Sequence, residues 1–155
     1  METRGKEAAM TDVERASSRI LEIIDIEGKA TEPGAMTSPC SDDDHQEDPY
    51  YAMHLWSLYK APYAELEKGM NRLRDELPKE GWKITKDGRD GTVGNSPQII
   101  AESEGRGLRA DISLDKEVEA EKAPAMLRVT VQSHCYHLPA TPATPEEQPP
   151  NMWRP

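Results

Sequence analysis

The stretch APYAELEKGMNRLRDELPKEGWKI, residues 61–84, decides how this chain is built. Tyr63, Leu66, Met70, Leu73 and Leu77 recur at steps of three and four, which places them on one stripe of an α-helix. Glu65, Glu67, Lys68, Arg72, Arg74 and Asp75 fall between them and suit a solvated face. Pro62 fits the first helical position, where its missing N–H is no loss, and Pro78 stops the helix near Leu77. Gly69 is a weak point inside it, costing about 1 kcal/mol relative to Ala. Glu80-Gly81 then turns the chain into a strand, Trp82–Lys86, whose Trp82 face is expected to pack on the helical stripe. Each large apolar side chain buried there contributes roughly 1.5–3 kcal/mol.

Working outward, Thr11-Asp12-Val13-Glu14 matches a capping box, and Ala9, Val13, Ala16, Ile20 and Ile23 or Ile24 form a second stripe. They predict a first helix over about residues 12–26, with Gly28 as its cap and residues 1–10 as a flexible N-terminus. A short strand is expected within residues 35–40 and a longer one over residues 50–60. Asp87-Gly88-Arg89-Asp90-Gly91 reads as a turn, followed by a short strand over residues 98–103. Leu108, Ala110, Ile112 and Leu114 alternate with Arg109, Asp111, Ser113 and Asp115, the pattern of a half-buried strand. Leu127, Val129, Val131, Ser133 and Cys135 alternate in the same way. Short turns between such strands imply antiparallel neighbours, and each helix has only one apolar stripe. The expected fold is a two-layer α+β sandwich, with two helices on one face of an antiparallel sheet of about 4–6 strands. Residues 11–138 form its single domain. From Pro139 on, six of seventeen residues are Pro, which predicts a disordered, Pro-rich tail over 139–155.

Composition bounds the function. The 155 residues carry a net charge of −10 and a mean hydropathy of −0.81. So acidic a chain repels phosphate backbones and anionic membrane surfaces, so nucleic acid is not an expected partner. No apolar run reaches the roughly 18 residues of a membrane span, and Met1–Lys6 has no apolar region behind it, so no signal peptide is expected there.

Candidate chemistry is sparse. In His134-Cys135-Tyr136-His137, Cys135 and His137 share a strand face, but two ligands fall short of the four of a structural zinc site. A Cys–His nucleophile would also want a third, orienting group. The acidic run Asp42–Asp48 lacks the glycine and final glutamate of an EF-hand loop and reads as a solvated loop. No catalytic residue, metal or cofactor is expected. Tyr50, Tyr51, Trp56 and Tyr59 mark a possible interaction surface, because a strand with aromatics on both faces exposes some of them unless both faces are covered. Cys40 and Cys135 are two thiols if the protein is cytosolic and a bridge if it is exported. A bridge would close a loop of about 95 residues, worth roughly 4–5 kcal/mol in the chain-entropy view.

Several pieces in order carry a resemblance: Ser38-Pro39-Cys40, the helix ended by Pro78, Gly81-Trp82-Lys83-Ile84, two hairpin strands, and Val129–Tyr136 ahead of Pro139. Over roughly residues 10–140 the chain resembles small exported proteins, many of them lipoproteins, of actinobacteria such as streptomycetes. That resemblance implies an extracytoplasmic protein with Cys40 and Cys135 paired, and it carries no site residues. Export would need a targeting segment outside this sequence, and membrane association would need a lipid anchor that is also absent from it. The expected function is a non-enzymatic, secreted or lipid-anchored binding protein of the cell envelope, with a protein or envelope partner. The alternatives are a small-ligand binder or small enzyme using the Cys135/His137 region or a pocket between helix and sheet, and a cytosolic acidic interaction or immunity-type protein.

Overall fold

A computed structural model describes residues 1–31, 33–41, 46–140 and 153. Its elements follow in the order α1 (Lys6–Ile24), β1 (Lys29–Ala30), β2 (Met36–Pro39), β3 (Tyr50–Tyr59), α2 (Tyr63–Glu76), β4 (Lys83–Arg89), β5 (Pro97–Ser103), β6 (Leu108–Asp115) and β7 (Met126–Ser133). The strands form one open antiparallel sheet of seven, in the order β1-β3-β7-β6-β5-β4, with β2 pairing along the same edge of β3 as β1. From β3, α2 carries the chain across one face to the far edge of the sheet. The meander β4–β7 then brings it back to pair with β3, Trp56 opposite Val129. This is the expected α+β architecture, with one strand more than the upper expectation.

The core is the layer between helices and sheet. Leu66, Met70, Leu73 and Leu77 of the α2 stripe are fully buried, as are Val13, Ile20 and Ile24 of α1. They meet Leu58, Ile99, Leu108, Ile112, Leu114, Leu127, Val129 and Val131 from the sheet. Trp82 is only 5% exposed. It sits between the 3₁₀ turn Leu77–Glu80 and β4 rather than in the strand, its N–H donating to the Leu77 carbonyl at 3.1 Å.

Local details differ from expectation for physical reasons. The first helix starts at Lys6, with Gly5 as its N-cap, so Thr11 is helical and the capping box is not used. Glu14 instead turns inward, where its carboxylate accepts from the Ala35 N–H at 3.4 Å. The first ten residues are docked, not frayed: the Arg4 N–H donates to the His137 carbonyl at 3.0 Å, and the His137 N–H donates to the Glu2 carbonyl at 2.9 Å. Helix α1 ends on Asp25, in the left-handed region at φ 48°. Gly28 serves a different need, since a β-carbon there would lie 2.8 Å from the Tyr59 carbonyl oxygen. Gly69 has a similar use: a β-carbon would lie 2.7 Å from Ile24 Cγ2, so its cost to α2 is the condition for α1 and α2 to approach. The turn read at residues 87–91 lies later, because β4 runs through Gly88 to Arg89. Asp90 closes the turn by accepting from the Thr92 and Ser96 N–H groups at 3.0 and 3.2 Å.

Of the Pro-rich tail, residues 141–152 and 154–155 lie outside the described residues. Trp153 does not behave as a free extension. It is 2% exposed, with its ring 4.9 Å from Trp56 and 4.7 Å, edge-on, from His54, and its indole N–H donates to the Thr31 carbonyl at 3.3 Å.

Candidate functional site

The two cysteines meet. Cys40, just past β2, is bonded to Cys135, just past β7, with Sγ–Sγ 2.06 Å. The bridge reinforces a corner already closed by backbone pairing, in which Tyr50 N–H donates to the Tyr136 carbonyl at 3.0 Å and Tyr136 N–H to the Tyr50 carbonyl at 2.7 Å. A structural disulfide suits an oxidising, extracytoplasmic setting. No helix among the described residues is long and apolar enough to cross a membrane. With its sulfur in the bridge, Cys135 has no thiolate to offer as a nucleophile. His137 points elsewhere, its Nδ1 2.9 Å from Asp48. Residues 42–45 of the acidic run lie outside the described residues, so its reading as a solvated loop has no structural counterpart here.

The four aromatics of β3 divide by strand alternation. Tyr50 and Trp56 face the helices and belong to the core, so they are not a surface. Burial pushes the Tyr50 phenol up to about 12, and its hydroxyl donates to the Arg4 carbonyl. Tyr51 and Tyr59 lie on the opposite, open face with Met53, Leu55 and Ser57. Met53 stands opposite Met36 of β2, which is 55% exposed, and Leu55 is 46% exposed. Toward β4 the same face turns polar. Rows such as Gln132–Arg109–Glu102–Lys83 cross the sheet, and Arg128 pairs with Asp115. An apolar strip therefore borders a charged field.

A second region adjoins the Cys135 segment named as the alternative site, though not through Cys135 or His137 chemistry. A cleft of about 620 Å³ opens between α1 and the segments joining β5 to β6 and following β7. Arg4, Arg15, Arg19 and Arg106 all line it, in a protein of net charge −10. Two of them are neutralised. Arg4 holds Asp12 through two bonds of 2.8 and 3.0 Å. Arg19 holds Glu80 at 2.8 and 2.6 Å and reaches Glu22 at 3.1 Å, which raises the arginine's pKa and lowers that of Glu80. The other two form no ion pair among the described residues, although Arg106 is near enough to Glu80 to help lower its pKa. Arg106 stacks over Trp82 at 5.0 Å and donates only to neutral oxygens, Ser103 Oγ at 2.9 Å and the Glu80 carbonyl at 3.0 Å. Arg15 is exposed and has no partner among the described residues.

Tyr136 also lines the cleft. It is 5% exposed, and its hydroxyl has no hydrogen-bond partner among the described residues. That hydroxyl and His134 Nδ1 each come to 3.4 Å of where a β-carbon would sit at Gly107, whose φ of 63° closes the β5–β6 turn.

Sequence reasoning named the Cys135 region and a pocket between helix and sheet, but missed the arginines and Tyr136, because the lining comes from four separated segments. One local signal was available. Arg15 and Arg19 are like charges at i and i+4 on α1, a mildly destabilising pair that needs another use.

Comparison with known protein families, with curated proteins and with solved structures finds no match for this chain.

Proposed function

We propose that this chain is a non-enzymatic binding module of the extracytoplasmic space, secreted or held at the cell envelope, that engages a folded protein partner through the open face of its sheet. The observation that carries the reading is the strip Met36, Tyr51, Met53 and Leu55, which the helices leave uncovered beside a charged rim. An apolar centre with a polar border is the anatomy of a protein interface. The disulfide supports the compartment, since such a bridge persists where thiols are oxidised.

The test is site-specific photo-crosslinking from position 55 in cells of the source organism, with Glu76 on the far side of α2 as the control position. The reading predicts an adduct from position 55 with an envelope or secreted protein, and none from position 76. No adduct from position 55, or one with a cytosolic protein only, would contradict it. A second reading, a binder of small ligands, is favoured by one observation, the arginine-lined cleft.

A further inference from the structure

We propose that the cleft between α1 and the β5–β6 turn is a binding site for a small, highly oxygenated organic anion, held through a carboxylate or phosphate group by Arg15, Arg106 and Tyr136. The inference rests on the chain being a binding protein, not on the open sheet face, and it deepens the small-ligand reading.

Three observations carry it. The first is charge. Arg4 and Arg19 are paired with carboxylates, whereas Arg15 and Arg106 form no ion pair within 4 Å among the described residues; the carboxylate nearest in effect to Arg106, that of Glu80, is already held by Arg19. Glu2 and Glu104 also line the cleft, but both are exposed and neither forms an ion pair there among the described residues. The second is preorganisation. The Trp82 face, Ser103 and the Glu80 carbonyl hold the Arg106 guanidinium in place while leaving further N–H donors free. A planar guanidinium fixed in this way matches the two oxygens of a carboxylate or phosphate.

The third is the Tyr136 hydroxyl, which borders the cleft and is spent on no other group among the described residues. Tyr136 is fixed by its backbone pairing with Tyr50, and its ring lies 6.1 Å from that of Tyr50. Its ring is packed on the covered side of the corner, with the hydroxyl beside Gly107 in the cleft wall. Burial raises its pKa, so at neutral pH it stays protonated and offers an O–H donor. Two guanidinium groups and a phenol converging on one cleft ask for an acceptor-rich anion. The cleft's size, about 620 Å³, falls among those of small-molecule sites.

The experiment is titration of the full chain, followed by amide NMR, with inorganic phosphate and with citrate as separate probes against sodium chloride at matched ionic strength. Saturable shifts at Gly105, Gly107 and Tyr136 with either probe support the site, and the probe that gives them tells phosphate from carboxylate as the recognised group. Arg15→Gln is expected to weaken that binding about tenfold and Tyr136→Phe severalfold. Both remove only exposed or unpartnered groups, so the fold is retained. Arg128→Gln, on the open face, should leave binding unchanged. The proposal is overturned if neither probe saturates up to roughly 10 mM. It is equally overturned if the shifts scatter over surface lysines, as for an adventitious ion only, or if Arg15→Gln and Tyr136→Phe bind like the parent. Crosslinking from position 55 would be untouched by that failure, so the two readings fall separately.

Discussion

The two faces of the sheet use alternate residues of the same strands, yet they do opposite work. On β3, Tyr50, Ala52, His54, Trp56 and Leu58 disappear under the helices, while Tyr51, Met53, Leu55, Ser57 and Tyr59 face outward. The covered face accounts for most of the stability, because the fully buried apolar side chains lie there. The open face retains apolar side chains with nothing from the described residues laid over them. The lesson is that one stripe per helix covers one side of a sheet, and what remains apolar on the other side is free to serve recognition.

The strongest way to break the comparison is to cut the tie that belongs to neither face. Replacing both Cys40 and Cys135 by Ser opens a loop with a sequence separation of 95. The expected loss is about 4–5 kcal/mol of unfolding free energy, read by urea titration. A midpoint unchanged by the double replacement would show that the corner at Tyr50 and Tyr136 holds by itself. The next effect belongs to the covered face. Leu73→Ala removes a side chain with no exposure from between α2 and the sheet. It should cost about 2–5 kcal/mol in the same titration, and a loss below about 1 kcal/mol would place Leu73 outside the core.

A smaller effect sharpens the comparison from within the covered face. His54 is buried, with Nδ1 2.7 Å from Ser17 Oγ and Nε2 2.8 Å from the Pro33 carbonyl. A carbonyl only accepts, so Nε2 carries the hydrogen and Nδ1 accepts from the serine hydroxyl. Burial lowers the ring's pKa below its ordinary 6.5. The unfolded chain therefore takes up the proton first. The stability contributed by the neutral ring is whole above about pH 6.5 and declines as the pH falls from there toward the folded value. Imidazole NMR at pH 6.5 should find His54 neutral with its hydrogen on Nε2. A half-protonated ring at that pH would contradict the buried assignment.

What the sequence disclosed follows from where the information lies. The stripes Leu66–Leu77 and Ala9–Ile24, and the alternation in Leu108–Asp115, are local patterns, and each folds as its period requires. Strand boundaries came out near expectation for the same reason. The start of α1 did not, because Thr11 has the chemistry of a cap, while the docking of Arg4 on Asp12 and His137 draws the helix back to Lys6; α2 begins one residue after the expected Pro62, which serves as its N-cap. Trp153 was hidden among prolines, and only the Trp56–His54 surface explains its place. The β3 aromatics could be sorted into two faces from the sequence, but which face the helices would cover could not. That depends on the α2 crossover, which no local period encodes. The cleft was least legible, since Arg4, Arg15, Arg106 and Tyr136 have no spacing in common and meet only when β7 returns beside β3.

The most direct measurement is a pair of leucine substitutions three residues apart on β3, compared by urea unfolding. Leu55→Ala, on the open face, should change the free energy by less than about 0.5 kcal/mol, whereas Leu58→Ala, 2% exposed beneath the helices, should lose about 2–5 kcal/mol. Equal losses at the two positions would mean that both faces of the sheet are covered, and the division of labour described above would not stand.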